Sequence, residues 1–173
     1  MFRALDGLLG QTLELHCIGG FAVTMQYGVS RATADVDVLA ASTAPQQLEA
    51  VQRLAGKGTA LHRQFKVYIQ PVAVAPYPES YRSRLIRMWP RFDLTHLRLF
   101  VLEAHDLALT KLDRNSDVDR QDIADLAKAG AINSETLRKR YQEELRPNFV
   151  GRVEKLDLTL AIWTEIILEV TRG

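Results

Sequence analysis

The sequence predicts an α/β (α+β) chain whose N-terminal half, residues 1–102, alternates strands with helices, and whose C-terminal half, residues 103–173, is helical and packs on it as one compact unit. Three observations carry this. Short apolar runs alternate with longer helix-compatible stretches up to residue 102. Glycine and proline punctuate those stretches at residues 19–20, 28, 56, 58, 76 and 78. From Glu103 onward the hydrophobic period becomes that of a helix.

Taken in order, residues 2–10 read as a short helix. Leu13–Ile18 is an apolar run that suits a buried strand, and it stops at Gly19-Gly20. Phe21–Tyr27 is compatible with a helix closed by Gly28. After a loop over Ser30–Ala34, Asp35–Ala40 alternates polar and apolar residues as a strand does. Ala44–Ala55 reads as a helix with Pro45 in its first turn, broken by Gly56 and Gly58. Phe65–Val74 alternates loosely as a strand or hairpin, Tyr81–Met88 reads as helical, and Leu97–Leu102 is a further buried strand. Four helices follow: His105–Leu112, one capped by Ser116 or Asp117 that runs to about Ala129, one capped by Asn133 or Ser134 that runs through Glu144, and a last one from about Arg152. The last carries Val153, Leu156, Leu160, Trp163, Ile167 and Val170 at 3-4-3-4-3 spacing, a seam expected to cover the helical half.

Composition narrows the classes of function. Apolar residues at 47% and charged residues at 25% exclude a disordered or collagen-like chain. No apolar run approaches the ~18 residues of a membrane span, and the N-terminal stretch, with Asp6 and Glu14 among its leucines, does not read as a signal peptide. The single cysteine, Cys17, excludes an intramolecular disulfide, and the cytoplasm is the expected compartment. A net charge of +1 argues against gross polyanion binding. The layout is nevertheless uneven: residues 53–98 hold nine basic side chains against Glu79 and Asp93, whereas residues 103–125 hold seven acids against three bases. Either these are solvated faces, or a basic surface for phosphates adjoins an acidic pocket for a cation.

The chemistry-bearing residues cluster early. On a strand Asp35 and Asp37 project from one face, and two acids held side by side repel unless a cation lies between them. Mg²⁺ suits such a pair, with phosphate oxygens and water completing its octahedron. Gly19-Gly20 falls where a strand becomes a helix, so the backbone can approach a ligand and the helix N-terminus can present N–H groups to a phosphate. A tight strand-to-helix turn without a ligand would also use these glycines. Arg31 and Thr33 precede the acids and can add a cationic and a hydroxyl contact to a triphosphate, or serve as plain loop residues. His16 reads as a core residue, and His62 and His96 belong to no motif.

The conjunction of strand, Gly-Gly, helix and an R-x-T-x-D-x-D strand resembles the nucleotidyltransferase fold of the polymerase-β type. The match is closest to the stand-alone bacterial group that includes abortive-infection type IV toxins and related toxin–antitoxin nucleotidyltransferases. A second stretch supports it: those toxins carry a helical lysine and then an R-D-x-x-D-like motif, and here Asp106–Leu112 contains Lys111 and Arg120–Leu126 contains Asp122 and Asp125. The resemblance spans about residues 14–126 and implies a small mixed sheet flanked by helices. It implies nucleotide contacts from Gly19, Gly20, Arg31, Thr33 and Lys111, and Mg²⁺ (or Mn²⁺) held by Asp35 and Asp37. Catalytic roles fall on Asp35, Asp37, Lys111 and Asp122, the last orienting Lys111 or approaching the nucleophile. A surface ion network is the alternative reading of Lys111, Asp119 and Asp122.

The implied activity is transfer of a nucleoside monophosphate from an NTP to an acceptor hydroxyl, on RNA, the tRNA 3′ end or a protein. The implied setting is a toxin–antitoxin or phage-defence pair with a cognate antitoxin partner and no membrane. One departure stands out. Such enzymes usually place a third carboxylate on a neighbouring strand, yet the counterpart Lys66–Val72 has no acid, and Gln70 sits about where one is expected. Glu79, Asp93 or Asp122 could take its place. The departure keeps open a non-catalytic protein of the same fold that binds nucleotide or a partner, and, more remotely, a plain RNA-binding protein.

Overall fold

In the computed structural model, residues 1–30, 32–89 and 93–172 are described. The chain divides into two compact units: Met1–Gln26, Ser30–Val74 and Leu85–Val101 form the first, and Tyr27–Val29, Ala75–Arg84 and Leu102–Gly173 the second. The class is the expected one: a five-stranded mixed sheet with helices, then a helical C-terminal portion.

The first unit contains α1 (Phe2–Asp6), β1 (Leu13–Cys17), α2 (Gly19–Tyr27, its last residue in the second unit), β2 (Asp35–Leu39), α3 (Pro45–Ala55), α4 (Ala60–Phe65), β3 (Tyr68–Val72), β4 (Ile86–Arg87) and β5 (Leu97–Val101). The strand order is β3-β2-β1-β5-β4. β1 runs parallel to β5 and antiparallel to β2, β2 runs parallel to β3, and β4 is antiparallel to β5. Leu13, Leu15, Val36, Val38, Ile69, Leu97, Leu99 and Val101 are all buried and form the sheet's share of the core. Pro71 is tolerated because β3 is an edge strand with no further ladder to serve.

Local differences from expectation have local causes. The first helix ends at Asp6, with Gly7 as its C-cap, rather than near residue 10, and the Asp6 carboxylate accepts from the N–H groups of Thr95, His96 and Leu97 at 2.6–3.0 Å. Burial alone would raise the Asp6 pKa, but those three hydrogen bonds outweigh it and hold the group below the usual carboxylate range. The helix α4 replaces a stretch with no expected structure: the Thr59 hydroxyl caps it by accepting from His62 N–H, and Lys66 closes it in the left-handed conformation. Tyr81–Met88, expected to be helical, is a 3₁₀ segment at Glu79–Arg84 followed by the strand β4. There Ile86 gains a partner in Val101, and sheet pairing overrides local propensity.

The second unit holds α5 (Ala104–Leu109), α6 (Asp117–Lys128), α7 (Ser134–Arg140) and α8 (Val153–Arg172). The expected third C-terminal helix stops at Arg140 and continues as a π-turn over Tyr141–Leu145 and a 3₁₀ turn at Arg146–Asn148, which contains Pro147. The apolar seam of α8 closes the core as expected: Leu156, Leu160, Trp163 and Ile167 are buried with Leu112, Ile123, Leu126, Leu137 and Tyr141. No helix of the described residues is long and apolar enough to cross a membrane.

A charged cluster ties this unit together. Arg84 reaches Asp106 (2.8 Å) and Glu144 (2.7 Å), while Arg140 bridges Asp106 (2.9 Å) and Glu103. Burial works to raise the Glu103 pKa, but the hydrogen bonds from His105 and Arg140 win and bring it from 4.5 down to about 2. A carboxylate depressed on folding contributes stability that is complete above its unfolded pKa and lost as pH falls towards the folded one. Urea unfolding of this protein should therefore show stability declining between pH 4.5 and about 2, and Glu103→Gln should flatten that limb. An unchanged limb in the variant would exclude Glu103 as its source.

Candidate functional site

Within the first unit the glycine pair and the second aspartate are built against each other. Cys17 ends β1, the Ile18 N–H donates to the Asp37 carbonyl at 2.8 Å, and the chain turns at once into α2. Gly19 has φ +69°, in the left-handed region that favours glycine. A Cβ at Gly19 would also lie 2.3 Å from Asp37 Oδ2. Backbone conformation and close approach thus demand glycine independently. The Asp37 carboxylate rests against the first residue of α2, where helix N–H groups lack intrahelical acceptors and the dipole is positive.

Asp35 and Asp37 are half-buried, while Val36 and Val38 between and beyond them are fully buried. Strand alternation therefore sends both carboxylates out of the face opposite the valines. The Thr33 hydroxyl donates to Asp35 Oδ1 at 2.8 Å and lies 3.1 Å from the Asp35 carbonyl, so it fixes that side chain. Arg31 lies outside the described residues. Cys17 is fully buried, and burial together with the Asp37 charge pushes its thiol up to about 12.

The β2–β3 register decides what stands beside each acid. Asp35 pairs with Tyr68 and Asp37 with Gln70. Paired side chains on adjacent strands share a face, so the place next to Asp37 holds an amide where a third acid was sought. Among the described residues no group of three or more His, Cys, Asp or Glu side chains is placed to hold a metal. Of the residues considered as substitutes, Glu79 accepts from Asn148 at 3.1 Å in the second unit. Two carboxylates on one strand face, with Asp37 against the glycine that starts α2, are a donor set that suits Mg²⁺ completed by phosphate oxygens and water, and Mn²⁺ shares the preference for oxygen.

In the second unit Lys111 and Asp122 come together. Lys111 is 3% exposed, its ammonium donates to the Asp122 carboxylate, and Asp119 lies 3.8 Å away. Asp119 also accepts from Arg114 Nε at 2.8 Å and completes a capping box with Ser116 at the start of α6. Burial would raise the Asp119 pKa, yet the hydrogen bonds from Arg114 and Ser116 hold it below the usual range. Lys111 and Asp122 thus form a buried ion pair with Asp119 close by.

Tyr68, the register partner of Asp35, carries two neighbours of its own. Tyr68 packs edge-to-face with His62, ring centroids 5.0 Å apart, and Lys57 Nζ lies 5.8 Å above the tyrosine ring. No sequence motif marks the three: the strand register brings Tyr68 beside Asp35, and tertiary packing brings His62 and Lys57 to Tyr68.

A family model described as a nucleotidyltransferase of unknown function (DUF6036) matches residues 2–169. No curated protein and no solved structure matches the chain.

Proposed function

The chain belongs to the DUF6036 nucleotidyltransferases, and from that premise we propose that it moves a nucleoside monophosphate from an NTP to an acceptor hydroxyl, with Asp35 and Asp37 holding Mg²⁺ or Mn²⁺. The observation that carries the reading is the fit of the Asp37 carboxylate against Gly19, where a Cβ would lie 2.3 Å from Oδ2. Evolution of a merely tight turn asks for a left-handed glycine; it does not ask for an acid lodged against it.

A bound divalent cation would neutralise phosphate charge and polarise the α-phosphorus. The chain's own contribution is positional. Asp35 and Asp37 hold the cation, Thr33 fixes Asp35, and the start of α2 with Gly19 and Gly20 offers N–H groups to the triphosphate. Lys111, paired with Asp122, is the residue to which the family resemblance assigns the remaining phosphate charge. The acceptor oxygen bonds to the α-phosphorus as the bond to the bridging oxygen breaks, and the electron pair leaves with pyrophosphate. The acceptor proton goes to solvent, because Gln70, beside Asp37, cannot take it. RNA, including a tRNA 3′ end, is the acceptor favoured by the excess of basic residues in the sequence over 53–98, apart from Arg84, which pairs with Asp106 and Glu144. Action as a toxin silenced by a cognate antitoxin follows from the family resemblance.

The test is direct. Purified protein with Mg²⁺ or Mn²⁺, each α-labelled NTP and total RNA should yield labelled RNA. If no combination labels RNA or protein, the proposal fails. The register of Gln70 favours a second reading, a non-catalytic protein that binds nucleotide or a partner; NTP binding without any label transfer would support it.

A further inference from the structure

We propose that Tyr68, with Lys57 and His62, forms a subsite that stacks a base of the acceptor RNA strand and binds its phosphate beside Asp35. The inference rests on the nucleotidyl-transfer reading and names where the acceptor is held.

Four observations in the first unit converge. First, Tyr68 is the register partner of Asp35, so its ring leaves the sheet on the same face as the two acids. Second, it is half-buried, and its hydroxyl makes no hydrogen bond among the described residues. Third, the ring is fixed: His62 packs against it at 5.0 Å, and His62 is itself held by accepting from Gly58 N–H through Nδ1 at 2.9 Å. That leaves Nε2 of His62 to donate outward. Fourth, Lys57 lies over the ring without an ion-pair partner among the described residues.

A rigid aromatic face under a mobile ammonium is the combination that single-stranded nucleic acid uses: bases stack on the ring and the backbone pairs with the cation. Lysine suits the second task because its flexible stem lets the ammonium yield the ring to a base and stay within reach of the phosphate. Further positive charge follows in sequence on α4, with Arg63 within the helix and Lys66 closing it. A purely structural ring would need neither an unpartnered lysine above it nor a place in register with an acid.

The experiment is binding of a fluorescein-labelled, unstructured 12-nucleotide RNA, read by anisotropy without NTP or metal, alongside the label-transfer assay. Tyr68→Ala should weaken RNA binding at least about fivefold, the loss of one stacked base, while Tyr68→Phe retains it. Lys57→Ala should weaken binding and lower the slope of log affinity against log salt by about one. NTP affinity should not change in Lys57→Ala or Tyr68→Phe, and melting curves show whether Tyr68→Ala remains folded. Wild-type RNA affinity in folded Tyr68→Ala and in Lys57→Ala overturns the subsite. If the RNA losses appear but no label is ever transferred, the enzyme reading fails and the binding site stands; if label is transferred while both variants bind normally, only the subsite fails.

Discussion

Lys111→Met should be among the most destabilising single changes in this protein, costing about 3–5 kcal/mol, the usual loss when one partner of a buried ion pair is removed. Lys111 and Asp122 are each buried to within 3% exposure, and Asp119 is fully buried close by. Asp119 keeps Arg114 and Ser116 when the lysine is gone, whereas Asp122 loses the ammonium that donates to it. The loss comes from leaving a buried carboxylate without the ammonium that balances its charge. Urea unfolding at pH 7 measures it. Removing both charges with Lys111→Met and Asp122→Leu should restore much of the stability, because an apolar pair of similar size avoids the desolvation cost. A loss below about 1 kcal/mol in the single variant would mean that the pair is solvated, as an exposed salt bridge is. Any effect on NTP affinity has to be read at temperatures where the variant remains folded.

The extent to which the molecule could be read from its sequence follows from the range of the interactions involved. Alternation at Asp35–Leu39, the Ser116 cap of α6 and the apolar seam of α8 are encoded within a few residues, and all three lie where the sequence places them. The helix α4 is not legible in the sequence because its signal is one hydroxyl at Thr59 and a left-handed lysine at residue 66, and neither alters the hydrophobic pattern. The strand β4 has no signature of its own in the sequence, since two residues carry no period; only pairing with β5, some fourteen residues on, makes Ile86 a strand residue. Gly19-Gly20 could be recognised as a turn, but the contact of Gly19 with Asp37 depends on β1 and β2 being neighbours. The same holds for Gln70 and Tyr68: nothing near them in sequence announces Asp37 and Asp35, and only the register aligns them.

Asp37→Ala should abolish nucleotidyl transfer while leaving the fold intact, a rate loss of at least about a hundredfold, as for removal of one preorganised electrostatic group. The side chain is half-buried on the sheet face that carries Asp35, and the core is packed by Val36 and Val38 on the other face. Its loss therefore removes a charge from the sheet face and the start of α2 rather than volume from the core. Gly19→Ala probes the same contact from the opposite side. The added methyl would sit 2.3 Å from Asp37 Oδ2 in a backbone conformation that alanine disfavours, so the carboxylate or the start of α2 must move. Transfer should fall in Gly19→Ala although both aspartates remain, and a small displacement there suffices because positioning supplies most of the catalysis in phosphoryl chemistry. The pair of variants separates two explanations of the corner. If it serves only to make a tight turn, Gly19→Ala loses stability and Asp37→Ala loses nothing in the label-transfer assay. If it holds the cation, both lose transfer, and Asp37→Ala does so with an unchanged melting temperature. Wild-type turnover in folded Asp37→Ala would remove this aspartate from the active site.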